Sequence, residues 1–488
     1  MSNFCLETNL HGFRYLNQEN CAKRVIWSLF IVLSFMTAGF LVYKTTEDYL
    51  NSTIETKIDS LNVPVSEIYF PSVVICNMNQ VRKSYFEELE INETQFKKGQ
   101  DCKDMFILSQ WNESKTYTFE IERDFATDYG NCCWYTPQLN LTEVKKHQKE
   151  NDLLEPDWGH FFTNLQKGAK VGDGFQMILD IESFDYNFQG SEGLKISLVH
   201  HLDMPFMKLN RFHLSPGTEN QIELNFELIT TSNNAKKRFT PTERNCYFEE
   251  EISLKYLPKD HGYRYTMKNC LFESAYEEII EKCNYMPEFH NFGLETCKGA
   301  NLKCMEEIFQ SFGQFDHVDY NGEIIKCLPS CEDQNNSIFV TSSSYPSRNA
   351  FIYQEEFCIL TKKLMEKCQG SKSRFLDEFH PDFCSILQPL TNLDSAVFCK
   401  NNEWNRSLIP NCNQIENIIF EFAKQNLVKF NIFTSNPFVT RYIKDEKITV
   451  VSYITNSGIL LTLCTGFSLT TIFEVFYHFI LSIFKIIK

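Results

Sequence analysis

The chain has 488 residues, with 63 acidic against 47 basic side chains for a formal net charge of −16, and 19 cysteines. Such acidity disfavours a nucleic-acid partner, which needs a basic face. No Ser/His/Asp arrangement and no metal-ligand spacing stands out, so neither an enzyme nor a bound cofactor is expected.

The head, residues 1–24, carries Leu10-His11-Gly12-Phe13 ahead of an uncharged apolar run from Val25 to Tyr43. Roughly 20 apolar residues cross a bilayer's hydrocarbon. No small-residue cleavage site follows, so 25–43 is predicted to be a first transmembrane helix, not a removed signal peptide. Arg14, Lys23 and Arg24 precede this run, Glu47 and Asp48 follow it, and Lys485 and Lys488 lie beyond the last apolar stretch. The positive-inside bias then places both termini in the cytoplasm and residues 44–447 outside, with 485–488 as a cytoplasmic tail. Apart from Cys5, Cys21 and Cys464, every cysteine falls between Cys76 and Cys412, and disulfides persist in an oxidising exterior. Glycosylation sequons at Asn51, Asn92, Asn112, Asn140, Asn335 and Asn405 occupy the same segment.

Within that segment, Ile68 to Asn79 is β-branched and aromatic, as a buried strand would be, and Gly193 to His200 alternates. Ala275 to Cys283 and Phe357 to Cys368 have helical patterning, whereas Ile418 to Phe422 and Val428 to Phe433 alternate as strands do. Cys327-x3-Cys331 has no second close pair, so bridges are expected there and not zinc. From Ile448 to Phe473 no residue is charged. Asn456, Ser457, Thr462, Thr465, Ser468 and Thr471 recur at steps near three and four, as one polar face of a helix, and Glu474 follows. Two readings fit that face. Hydroxyls and small residues line contacts between membrane helices, and an ionisable group at membrane depth faces a bundle interior or a wet cavity.

His11-Gly12 in the head, Phe70-Pro71-Ser72-Val73-Val74-Ile75-Cys76-Asn77 after the first run, and Gly466-Phe467-Ser468 with Glu474 in the last resemble the epithelial sodium channel/degenerin family. Ile75 to Val81 and the Gly466-Phe467-Ser468 to Glu474 spacing look most like its arthropod pickpocket branch, with some likeness to acid-sensing channels. Tyr129 to Cys133 and Gly172 to Ile181 resemble further landmarks in the same order. The resemblance implies two transmembrane helices flanking a large disulfide-rich α+β extracellular domain, its palm and β-ball strands carrying a helical finger (about 85–128) and a thumb (about 269–331). It also implies a homo- or heterotrimer in the plasma membrane, passing Na+ as permeant ion and sensitive to amiloride-like compounds. The second span, 448–484, would carry the pore, with Gly466, Phe467 and Ser468 as selectivity filter. Thr455, Asn456, Gly458, Thr462 and Glu474 would line or gate the path. His11 and Gly12 would form a cytoplasmic turn supporting it.

By the same resemblance Cys76 pairs with Cys132 or Cys133, Cys270 with Cys327, Cys283 with Cys304, and Cys246 with Cys331. Ser274 and Ile325 stand where one bridge of the family's thumb ladder is expected, and Tyr285 at a third position leaves Cys297 needing another partner. His261 replaces a tryptophan that couples the outer domain to the first helix in acid-sensing relatives. Residues 332–417 form a cysteine-containing insertion that diverges from the family. A scavenger or lipid receptor of CD36-like topology would share two spans, sequons and disulfides, but would need neither the polar face nor the Gly-x-Ser step. An ATP-gated trimer would need a lysine-rich outer pocket, which this acidic chain does not show.

Overall fold

The computed structural model describes residues 2–84, 99–111, 114–116, 124–127, 129–136, 174–187, 190–200, 203–207, 211–257, 263–283, 304, 307–308, 327–370, 372–391, 398–400 and 403–487. Asn92, Asn112, Asn140, His261, Tyr285, Cys297 and Ile325 lie outside the described residues. The chain divides into two units, one of Met1–Lys57, Thr231–Arg244 and Ile443–Lys488, the other of Ile58–Thr230 and Asn245–Tyr442.

Two sheets build the larger unit. One has eight strands in the order β1-β15-β10-β14-β7-β3-β4, with β11 also on β10. These are β1 (Ile54–Pro64), β3 (Phe106–Trp111), β4 (Ser114–Thr116), β7 (Phe175–Asp180), β10 (Thr218–Thr231), β11 (Asp333–Ser344), β14 (Leu427–Thr434) and β15 (Phe438–Glu446). The other runs β5 (Asp124–Thr127), β6 (Gly130–Tyr135), β2 (Ser72–Asn77), β8 (Leu194–Val199), β9 (Phe212–Leu214). A small hairpin joins β12 (Cys399–Lys400) to β13 (Glu403–Trp404).

Successive strand residues point to opposite faces, and here that period distributes one sequence between two cores. Val73 and Ile75 of β2 meet Phe175, Met177 and Leu179 of β7, and Phe430 and Ile432 of β14, in a core shared by the two sheets. Val74 and Cys76 turn instead toward the helix Met267–Cys283, against Phe272, Ala275, Tyr276 and Ile279. On the other flank Ile178 joins a third core built on helices Glu355–Gln369, Ser373–Phe379, Phe383–Thr391 and Cys412–Asn426. The unit is therefore layered helix, sheet, sheet, helix.

Seven bridges staple these layers among the described residues: Cys76–Cys132, Cys102–Cys133, Cys246–Cys331, Cys270–Cys327, Cys283–Cys304, Cys358–Cys399 and Cys368–Cys384. Cys412 is a free thiol whose Sγ lies 3.1 Å from Glu416 Oε1, and burial, reinforced by that carboxylate, pushes its pKa up.

Two expectations change. Ile418 to Phe422 is not a strand; it lies in the helix Cys412–Asn426, whose Ile415, Ile418, Ile419, Phe422, Ala423 and Asn426 are buried at helical spacing. The described part of the finger stretch holds strands β3, β4 and β5, and its helix is the single turn Cys102–Met105. The stretch 332–417, expected to diverge from the family, holds both strand and helix. It begins with β11, antiparallel to β10 from Thr218↔Ser344 to Ile229↔Asp333, and only then becomes helical. Asn335 sits exposed on β11, and Asn405 Oδ1 accepts from Ser407.

Candidate functional site

The smaller unit gathers the residues singled out at both ends of the chain. Its first long helix, Cys21–Leu50, extends beyond the 25–43 run at both ends, with the Asn20 side chain accepting from Ala22 N at its start. It is long and apolar enough to cross a membrane. The last hydrophobic segment is not one helix. Val450–Thr465 and Leu469–Ile480 pass the same test only together, bent by 64° at the intervening Gly466-Phe467-Ser468.

The break is held by its own hydroxyls. Gly466 has φ +71, the left-handed region that glycine favours, and its N–H donates to Thr462 O at 2.8 Å. The Thr462 hydroxyl lies 2.8 Å from Gly458 O and 2.9 Å from Phe467 O. Phe467 N donates to Thr465 Oγ1 (3.2 Å) and Ser468 N to Thr471 Oγ1 (3.2 Å). Backbone groups freed by a helix break must find partners where water is scarce, and threonines on both sides supply them. Thr465 and Thr471 are buried, so part of the periodic polar face serves the break itself. Ser468 is half-buried, its Oγ 2.7 Å from Thr470 Oγ1.

The N-terminal head packs onto this break. Gly12, at φ +82, turns the chain against the first helix; a Cβ there would come 3.0 Å from Ile31. Tyr15 stacks on Trp27 at 4.2 Å, and Phe13 meets Phe35 edge-on at 6.3 Å. So anchored, the segment presents His11 N, which donates to Thr465 O at 2.9 Å. The contact at Gly466 is close enough that a Cβ would stand 2.7 Å from Asn9 O and from His11 Cδ2. Glu474 completes the arrangement, accepting from Thr8 Oγ1 and Asn9 N, each at 3.1 Å, and from Asn9 Nδ2. Glu7 Oε2 lies 3.3 Å from His478 Nε2. The structure thus brings together His11, Gly12, Gly466 and Glu474, which the sequence singled out, and adds Thr8 and Asn9, which it did not.

Farther along Val450–Thr465, Tyr453, Ser457, Leu460, Leu461 and Cys464 are half-buried, and Tyr453 stacks on Tyr49 of the first helix at 4.6 Å. Thr455, Asn456 and Thr462 are exposed, and a Cβ on Gly458 would meet nothing within 4 Å. This face is open in the single chain. Among the described residues no cluster of His, Cys, Asp or Glu is arranged to hold a metal.

The sequence is similar to that of several known channel proteins. The sodium channel protein Nach of Drosophila melanogaster is 22% identical over 369 residues, 63% of this chain and 67% of that protein. Pickpocket protein 28 of the same fly is 19% identical over 533 aligned positions, covering 96% of this chain and 76% of its own. Epithelial sodium channel subunit beta of Xenopus laevis is 23% identical over 202 residues, 40% of this chain and 30% of that protein. A family model described as amiloride-sensitive sodium channel matches residues 4–98 and 87–478, and so nearly the whole sequence. The chain belongs to the amiloride-sensitive sodium channel family, whose members are ion channels and not enzymes.

Proposed function

We propose that the chain is one subunit of a trimeric, amiloride-sensitive, sodium-selective channel of the plasma membrane, opened by a stimulus from outside. In this reading Cys21–Leu50 and the bent pair Val450–Ile487 are its two spans, both termini are cytoplasmic, and the disulfide-rich unit is extracellular. The observation that carries it is the break at Gly466-Phe467-Ser468, buttressed by His11 and by Glu474's contacts with Thr8 and Asn9. A break in a membrane helix is tolerated where it is buried in protein or lines a water-filled cavity. Three copies of the step around an axis would ring a cation with oxygens from exposed carbonyls and from Ser468, replacing its hydration shell. The open face bearing Thr455, Asn456, Gly458 and Thr462 would line the approach to that ring. Neighbouring subunits can be copies of this chain or related chains.

Recording from cells that express the chain, alone and with related subunits, tests the reading. It predicts a sodium current that Ser468→Lys abolishes without reducing surface protein, because a fixed ammonium at the narrowest point repels the permeant ion. A sodium current untouched by Ser468→Lys contradicts it.

A further inference from the structure

A single guanidinium joins the near ends of the two apolar segments. Arg238 closes the short helix Asn233–Arg238, whose N-cap Ser232 accepts from Ala235 N. Its Nη1 donates to Glu446 Oε2 (2.9 Å) and Ile448 O (2.7 Å), and its Nη2 to Ser52 Oγ (2.8 Å) and Tyr49 O. The same group lies 3.9 Å over the Tyr49 ring, which stacks in turn on Tyr453. The Thr46 hydroxyl is 3.0 Å from the Tyr453 hydroxyl.

Two of the acceptors are backbone carbonyls at helix ends, and Tyr49 O also accepts from Ser52 Oγ (2.7 Å). The Tyr49 carbonyl sits in the last turn of Cys21–Leu50, where carbonyls lack intrahelical partners and the helix dipole is negative. The Ile448 carbonyl comes just before Thr449, the N-cap of Val450–Thr465. Only a planar fork reaches acceptors on both at once; an ammonium on a flexible stem does not hold that geometry. Glu446 depends on the arrangement most. Its side chain is 4% exposed and that of Arg238 19%, so parting them leaves a carboxylate buried without its cation. Ser232 reinforces the attachment, its N–H donating to Lys444 O (2.9 Å) and its hydroxyl to Asp445 Oδ1 (2.6 Å).

We propose that Arg238 is a positioning residue for gating: it holds the outer ends of the two spans together in the shut channel, and opening exchanges its bonds to Glu446 and Ile448. The inference rests on the channel reading above. β10 ends at Thr231 and β15 at Glu446, neighbouring strands of one sheet, so a shift of either strand end reaches the clamp through a few residues of backbone.

The test reads shutting without needing a current or a known stimulus. The full chain carries Thr455→Cys in a Cys412→Ser background, which removes the free thiol described in the extracellular unit. Surface protein is labelled at rest with a membrane-impermeant cationic thiosulfonate. With Arg238 present, Thr455→Cys is predicted to react slowly. Arg238→Ala should speed labelling about tenfold, the size of a typical coupling between sites. Arg238→Lys should fall between the two, and Arg238→Ala should add little once Glu446→Gln has removed the paired charge. A merely structural role would lower surface protein without changing the rate per molecule. If Arg238→Ala does not reach the surface, Arg238→Lys decides, and a rate equal to its parent's overturns the clamp. Equal rates in all variants overturn the clamp and leave the pore standing. A Thr455→Cys parent that already reacts as fast as a free surface thiol overturns the shut pore, and the clamp with it.

Discussion

Gly466 and Gly12 both sit at positive φ, yet an added methyl meets different neighbours at the two. At Gly466 one of them is the backbone oxygen of Asn9, 2.7 Å away, which can give only by unseating the head; at Gly12 it is a side-chain carbon, Ile31 Cγ1, at 3.0 Å. Left-handed backbone alone costs alanine about 1 kcal/mol at either site. Gly466→Ala should therefore lower the thermal midpoint of the detergent-solubilised chain clearly more than Gly12→Ala, and equal losses would deny the close approach. A second cluster concerns charge. Lys367 Nζ lies 2.6 Å from Asp180 and 2.8 Å from Glu182, and Lys372 lies 2.8 Å from Glu182, all of them buried or nearly so. Burial alone would push the Glu182 pKa up, but the two lysines outweigh it and hold the carboxyl down at about 2. A depressed carboxyl contributes stability above its unfolded pKa, near 4.5, and loses it as pH falls from there toward 2. Lys367→Met should cost about 3–5 kcal/mol at neutral pH by leaving buried carboxylates short of a cation. It should also flatten the acid limb of a melting-temperature profile over that window. A mutant profile parallel to the native one would show that the pairing does not set Glu182.

Among the secondary-structure elements, those with a continuous β-branched or aromatic run were legible in the sequence: β2 and β8 lie within the stretches read as strands, β14 contains the stretch Val428 to Phe433, and Glu355–Gln369 overlaps the stretch read as helix. The error at Ile418 to Phe422 has a physical origin. Over five residues, Ile-Ile-Phe-Glu-Phe fits period two as well as period 3.6, and the residues that separate the two, Ile415 and Asn426, lie outside that window. The distinction is measurable at Ile419, which a strand would turn away from Ile418 and Phe422 but the helix buries completely beside them. Ile419→Ala should cost about 2–5 kcal/mol by chemical denaturation, and a cost near zero would favour the strand. The site was legible only in part. His11, Gly12, Gly466 and Glu474 stand in a recognisable order, whereas Thr8 pairs with Glu474 across 466 positions and Arg238 with Glu446 across 208, and no local pattern announces such partners. The thumb-side staple can be checked by its symmetry. Cys270→Ser and Cys327→Ser remove the same bridge, worth about 2–4 kcal/mol, so each single variant and the double should lose surface protein alike. A double variant far worse than either single one would break the pairing.

At the scale of the molecule, the smaller unit suits the proposed channel, in which the path would narrow at the helix break. The head packs onto the break, the hydroxyls of the segment satisfy its backbone, and a face of Val450–Thr465 is exposed in the single chain. An acidic protein, net charge −16, also suits a cation path by raising the local cation concentration. The central claim is that the Gly466-Phe467-Ser468 step itself sorts ions. The most direct measurement is the sodium-to-potassium permeability ratio, from reversal potentials, of channels bearing Ser468→Ala and Ser468→Cys beside the native chain. The account predicts that the ratio changes with each substitution while surface protein stays constant. A ratio identical across all three would contradict it.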